Sequence, residues 1–257
     1  MQKNSSNSSP PQNTTILILA AGLATRMGLL CQKTPKCMLP VANKPFLLWM
    51  VGCYCSHGYP VVIGTGHLHE AIHNIFESPF WEMRGVRCIR EPYSLGTGGL
   101  IKYASEFIST DYIMTLNGDT LLDIDIEAII KQHVTGLSPI TQVVTRKSLQ
   151  NEGAIVVNNA GTVVSFNEDK AICKTIENDH SRFSSTGCYM FNKNFICGSF
   201  PTGASSLELD LMPSYAKDLL VSAHINSDLS LLLDFGTPER YTLALQLGAE
   251  IKKIYEH

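Results

Sequence analysis

The sequence predicts an α/β fold, a mostly parallel mixed sheet covered by helices, with a smaller antiparallel part added late in the chain. Three observations carry that expectation. In the first half, short continuous apolar runs ended by turn residues alternate with helix-length segments, as in strands buried on both faces of a parallel sheet. In the second half the runs shorten and are joined by tight turns, as in antiparallel pairs. The 257 residues, 44% hydrophobic and 17% charged, can fill the core of one large domain or two small ones.

Residues 1–14, rich in Asn, Ser and Pro, have nothing to bury and are expected to form a disordered tail with no apolar centre of a secretion signal. A single domain is expected over 15–248, with 249–257 as a helix end or tail. Thr15–Ala21, ended by Gly22, is the first strand. Pro45–Ser56 is apolar almost all round and reads as a buried helix with Pro45 in its first position. Strand Val61–Ile63, helix His67–Phe76, strand Val86–Ile89 and helix Gly98–Ile108 follow. Tyr112–Leu116 is a fourth buried strand, broken at Asn117-Gly118. Ala154–Val157 and Thr162–Phe166 read as a hairpin around Asn158–Gly161, and Thr186–Phe191 as another strand. Leu207–Lys217 is a helix and Leu231–Asp234 a strand, after which Thr237 and Pro238 supply the N-cap and first-turn proline of a last helix.

Composition narrows the partners. Lys and Arg number 20 against 23 Asp and Glu, so there is no basic surplus for holding nucleic acid. No apolar stretch reaches the ~18 residues of a membrane span, so no membrane partner is expected. The eight cysteines, several inside apolar runs (Cys53, Cys55, Cys188, Cys197), lack zinc-site spacing and read as reduced, mostly buried thiols of a cytoplasmic protein.

Four segments carry chemistry. Leu19–Met27 follows the first strand directly, and a strand feeding a small-residue turn presents consecutive N–H groups to a phosphate or a nucleotide edge. It lacks the Gly-Lys-Ser/Thr ending of a Walker loop and the third small residue of a dinucleotide fingerprint. Arg26 and Lys36, ten residues apart, add two fixed charges suited to a polyphosphate; a plain turn with two solvated cations is the alternative. In Glu91–Gly99, glycines 96, 98 and 99 permit close backbone approach to a flat ligand such as a base, with Thr97 able to donate or accept; a glycine-rich helix start is the alternative. Asp119, in Asn117–Thr120, ends a parallel strand where α/β sheets place ligands, and suits Mg²⁺ beside phosphates; a local turn cap is the alternative. Asp234 closes an apolar strand, which is costly unless a metal, a cation or the following helix N-terminus compensates it.

In this order and spacing the segments resemble the sugar-1-phosphate nucleotidylyltransferase family, over Ile16 to Leu247. The family's opening signature is matched by Leu19–Arg26, Pro35-Lys36 and Pro40–Pro45, its base-binding L-G-T-G-G by Leu95–Gly99, its N-G-D by Asn117–Asp119 and its D-x-G-T-P by Asp234–Pro238. Within the family the chain is most similar to the D-glycero-D-manno-heptose 1-phosphate guanylyltransferases, with the N-acetylmuramate 1-phosphate uridylyltransferases next. The resemblance implies a Rossmann-like, GT-A-like domain, nucleotide-binding over about 15–135 and sugar-binding over about 140–235. It implies that an NTP, GTP first, and a sugar 1-phosphate, the heptose first, are joined to NDP-sugar and pyrophosphate with Mg²⁺ as cofactor. Uridylyl transfer, mannose-type guanylyl transfer and a non-catalytic sensor are the other readings.

The same resemblance assigns roles. Arg26 would neutralise the triphosphate, Lys36 would bind the sugar phosphate and α-phosphate, and Asp119 and Asp234 would hold Mg²⁺. Leu19, Ala20, Ala21, Gly22, Leu95, Gly96, Thr97 and Asn117 would surround the nucleotide; Gly153, Glu168, Lys170 and Gly187 would meet the sugar. Ala24 stands where the family has a second glycine, a place for a methyl only at negative φ. Lys170 is one position later than the family's lysine, and Ser185-Thr186-Gly187 replaces N-A-G.

Overall fold

The computed structural model describes residues 13–146, 154–167, 180–226 and 231–256. The chain runs β1 (Thr14–Ala20), the short pair β2 (Pro40–Val41) and β3 (Lys44–Pro45), α1 (Phe46–Ser56), β4 (Val61–Thr65), α2 (Glu70–Phe76), α3 (Pro79–Glu82) and β5 (Val86–Arg90). Then come α4 (Gly96–Ser105), β6 (Tyr112–Asn117), β7 (Thr120–Leu122), α5 (Ile126–Thr135), β8 (Ile140–Thr145), β9 (Ala154–Asn158), β10 (Val163–Asn167) and β11 (His180–Asn192). The last part comprises α6 (Lys193–Ser199), a π-turn over Leu207–Leu211, α7 (Met212–Lys217), β12 (Val221–Ile225), β13 (Leu232–Asp234), α8 (Pro238–Gln246) and α9 (Gly248–Tyr255).

β1 is central because it is apolar on both faces. Ile16 and Ile18 pack into the layer that holds α1, and Leu17 into the layer that holds α4, α6 and α7. It pairs in parallel with β6 on one side and β4 on the other, and β4 pairs in parallel with β5. The carboxyl ends of these strands therefore share one edge, where Leu19 lies opposite Asn117 and Gly64. β11 runs antiparallel to β6 and continues beyond it against β8 and β9, while β9 and β10 form the expected hairpin and β12 adds in parallel to β8. A separate antiparallel pair, β7 with β13, sets Asp234 opposite Thr120. In the first layer Phe46 meets Phe235 and Tyr255 edge-on, at 5.1 and 5.8 Å between ring centres.

The mostly parallel sheet and its antiparallel extension are as the sequence predicts, and the differences are local. Pro45 precedes α1 instead of opening it, because its extended backbone (ψ 135) pairs with Pro40 in the β2–β3 hairpin. The segment Leu207–Lys217 is no continuous α-helix: Pro213 has no N–H to return to Leu209, and the first turn widens to a π-turn. Where 249–257 is expected as a helix end or tail, Gly248–Tyr255 form a separate helix, α9, whose Ile251 and Tyr255 are buried in the α1 layer. Cys31, Cys37, Cys53 and Cys188 are buried thiols, whereas Cys197 is exposed on α6 despite its apolar neighbours.

Candidate active site

A cavity of about 290 Å³ opens at the carboxyl ends of β1 and β6. Its wall includes Leu19, Ala20, Ala21 and Gly22 from the end of β1, Asn117, Gly118 and Asp119 from the end of β6, Gly96 and Thr97 from the start of α4, and Lys36, Cys37 and Glu91. The two strand ends are clamped together, Gly118 donating its N–H to the Leu19 carbonyl at 3.0 Å.

Lys36 and Asp119 stand on the wall at one end, with Arg26 and Asp234 beside them off the wall. Lys36 sits on a short 3₁₀ turn started by Pro35, with Met38 N–H donating to the Pro35 carbonyl at 2.8 Å. Its ammonium forms an ion pair with Asp119, the two side chains being 17% and 21% exposed. Asp119 is tied to the β13 end by its carbonyl, which accepts from Phe235 N–H at 3.1 Å. Asp234 accepts from Gly236 N–H at 2.9 Å through Oδ1 and forms an ion pair with Arg240 through Oδ2. The guanidinium of Arg26 lies alongside, its Nη2 only 3.3 Å from where a Cβ on Gly236 would stand. Arg26, Lys36, Asp119 and Asp234, from four separate stretches of sequence, thus meet across the β7–β13 pair. Arg26 enters no ion pair among the described residues.

The cation that compensates Asp234 is Arg240, which the sequence reading did not single out. Its signal was available, a basic residue in the first turn of the helix that Thr237 and Pro238 begin. The two carboxylates suit a hard divalent cation, which takes one or two carboxylates and completes its shell with water and substrate phosphate oxygens. Among the described residues no group of three or more His, Cys, Asp or Glu could hold a metal without such substrate oxygens. Asp119 and Asp234 would hold it, once Lys36 and Arg240 yield their places.

The opposite end of the cavity is built from hydrogen bonds, with no ion pair among the described residues. Gly96, at φ 68, approaches the Ser205 carbonyl so closely that a Cβ would stand 2.6 Å from it, so glycine is required there. Gly98 and Gly99 face Ser205 and Gly203, their N–H groups donating to the Ser205 carbonyl at 2.9 and 3.2 Å. These two glycines admit a protein segment, not the flat ligand expected of them. The Thr97 hydroxyl donates to Glu208 Oε2 and accepts from Leu207 N–H, both at 2.8 Å, which fastens α4 to the π-turn. Leu95 is buried behind the wall, its N–H donating to Glu91 Oε2 at 2.9 Å. Glu91 itself, quoted with the motif but given no role, is a carboxylate on the cavity wall in a residue only 8% exposed. Burial raises its pKa against the opposing pull of the Leu95 N–H.

Two further expectations meet a definite outcome. Ala24 has φ 52, in the left-handed region, contrary to the negative φ expected for a methyl. The turn is held by Met27 N–H donating to the Ala24 carbonyl at 2.9 Å, and the buried Met27 fixes it to the core. Gly187, at φ 73 in the bulge of β11, lies so close to Asn117 that a Cβ would stand 2.5 Å from its Nδ2, which sets this residue behind a side chain of the cavity wall. Gly153, Glu168 and Lys170 lie outside the described residues.

The family model described as nucleotidyl transferase matches residues 15–246. The D-glycero-α-D-manno-heptose 1-phosphate guanylyltransferase of Campylobacter jejuni is 28% identical over 226 residues, 88% of this chain and 96% of that protein. The UTP–glucose-1-phosphate uridylyltransferase of Synechocystis is 26% identical over 258 residues, 93% of this chain and 64% of that protein. The chain spans 62% to 66% of the length of three of the curated relatives it matches. Among solved structures, HddC from Yersinia pseudotuberculosis superposes with a TM-score of 0.74 at 24% identity, covering 91% of this chain and 98% of that one. With its sheet-edge cavity and its converging charges, the chain belongs to the nucleotidyl transferase family.

Proposed function

We propose that the protein is a sugar-1-phosphate nucleotidylyltransferase that joins GTP to a sugar 1-phosphate, D-glycero-D-manno-heptose 1-phosphate first among them, and releases pyrophosphate. The observation that carries this reading is the Arg26 guanidinium, in no ion pair among the described residues, beside two ion-paired carboxylates at the ligand edge of the sheet. An oxygen of the sugar phosphate attacks the α-phosphorus in line. The new P–O bond forms as the bond to the β-phosphate oxygen breaks, and pyrophosphate leaves with the electron pair. The nucleophile is already an anion at neutral pH, so no general base is needed. Repulsion between anions is the obstacle. Arg26 and Lys36 cancel it, and the clamped ends of β1 and β6 align the partners. Asp119 and Asp234 would hold Mg²⁺, which would supply further charge neutralisation beside them.

Glu91 supports guanine as the base. A buried carboxylate accepts well from the adjacent N1–H and N2–H₂ donors of guanine, while uracil and thymine offer one N–H between two carbonyls that repel it. The Campylobacter relative, of nearly the same length, is named for guanylyl transfer to the heptose phosphate. The described cysteines are all free thiols, which supports a cytoplasmic setting, and no described helix is long and apolar enough to cross a membrane. A pyrophosphate-release assay over GTP, UTP, dTTP and CTP with a panel of sugar 1-phosphates tests the proposal. Fastest release is expected with GTP and the heptose phosphate. Fastest release with UTP replaces the base assignment, and no release with any pair makes the protein a sensor.

A further inference from the structure

The cations of the site are of two kinds. Among the described residues Arg26 enters no ion pair, whereas Lys36 and Arg240 each hold a carboxylate. Lys36 belongs to the phosphate machinery described above, but Arg240 has no part in it. Arg240 stands in the first turn of α8, its backbone N–H donating to the Thr237 capping hydroxyl at 3.4 Å. That placement turns its guanidinium back onto Asp234 Oδ2, while Gly236 N–H occupies Oδ1. Both oxygens of Asp234 are therefore engaged by the protein's own donors. An incoming cation competes with a fixed positive charge before it meets the carboxylate.

We infer that Arg240 is an internal counter-ion that closes Asp234 in the ligand-free protein and sets the threshold for divalent-cation binding there. The inference rests on the proposed function for the use of Asp234 as a metal ligand. Arg240 is in this sense a positioning residue, touching Asp234 and acting through it. The pair is part-exposed, Arg240 at 29% and Asp234 at 24%, so it can open without unfolding its surroundings. When the binding-competent form is a fraction of the whole, apparent affinity falls by that fraction. For a part-exposed ion pair this amounts to about fivefold.

The test is a titration of the full chain with Mn²⁺ alone, without nucleotide, followed by water-proton relaxation. Arg240→Gln is expected to bind Mn²⁺ about fivefold more tightly than the wild type, and Arg240→Lys to remain near it. In an Asp234→Asn background the substitution of Arg240 is expected to change nothing, which separates competition at Asp234 from a general charge effect. A purely structural pair lowers the melting temperature of Arg240→Gln and leaves Mn²⁺ affinity unmoved. Equal affinity, weaker binding by Arg240→Gln, or no Mn²⁺ binding by either protein overturns the inference. Turnover in the triphosphate panel with unchanged Mn²⁺ affinity sinks the counter-ion alone; tighter Mn²⁺ binding without wild-type turnover sinks the catalytic reading alone.

Discussion

The two ends of the cavity are built in opposite ways. At the α4 end, the polar contacts that shape the wall are hydrogen bonds between backbone groups or to a carboxylate or hydroxyl: Gly98 and Gly99 to Ser205, Leu207 to Thr97, Thr97 to the part-buried Glu208, and Leu95 to Glu91. At the β7–β13 end the contacts are ion pairs between part-exposed side chains, Lys36 with Asp119 and Arg240 with Asp234. Buried hydrogen bonds hold one geometry, because breaking them strands a polar group away from water. Exposed ion pairs contribute little stability and exchange partners readily. Under the proposed function, the fixed end is the one that holds the base, and the other trades its internal partners for phosphates and a cation.

Substitutions at the two ends should consequently fail differently, and the largest effect belongs to the charged end. Arg26→Ala, Lys36→Ala and Asp119→Ala are each expected to lower turnover by ~10²–10³ while the melting temperature moves little, since preorganised charge contributes mainly to the transition state. Wild-type turnover in any two of them removes the proposed role of the cluster. Next in size is Glu91→Gln, expected to lower kcat/KM with GTP by about 10–100-fold, the loss of a charge-assisted contact, and to narrow the preference over UTP. An unchanged GTP to UTP ratio breaks the link between this carboxylate and the base.

Glu91 also gives the fixed end a pH signature. Its pKa is raised by burial, so the folded state favours the protonated form. The stability this confers is complete below the unfolded-state pKa and is lost as pH rises through the raised folded pKa. Guanine needs the ionised form, so GTP affinity is expected to increase over that same window. Melting curves with and without GTP across the acidic range measure both trends, and Glu91→Gln should flatten them together.

Smaller effects follow at the supports. Thr97→Val removes the hydroxyl that joins residues 111 apart in sequence and is expected to destabilise the fold by ~1–2 kcal/mol, read by denaturant unfolding. Ala24→Gly relieves a left-handed alanine and is expected to stabilise by about 1 kcal/mol, a rise of ~2–4 °C in melting temperature. A fall in that temperature would mean that the methyl, and not the backbone, dominates at the turn.

The sequence was informative wherever burial alone decides structure. β1, β4 and β6 are continuous apolar runs with no other stable place than a sheet covered on both faces, and α1 is apolar all round. Asp119 was legible from its place at the carboxyl end of a parallel strand, and Asp234 because a carboxylate closing an apolar strand demands a partner. β8 was not legible, because its buried Thr141, Gln142 and Thr145 break the apolar pattern. Nor was the first part of β11, whose His180–Ser185 reads as polar loop. The uses of Thr97, Gly98 and Gly99 depend on a loop more than a hundred residues away that settles against α4. No local pattern carries that approach, and the same is true of the left-handed Ala24, which a buried Met27 holds in place.

The decisive measurement is the fate of the α-phosphorus. Wild-type protein given GTP labelled at that atom, Mg²⁺ and D-glycero-D-manno-heptose 1-phosphate is expected to yield labelled GDP-heptose and unlabelled pyrophosphate, with Lys36→Ala slower by two orders of magnitude or so. Label that stays in GTP with every sugar 1-phosphate supplied, or that reaches product as readily without Lys36, contradicts the assignment of this cavity to nucleotidyl transfer.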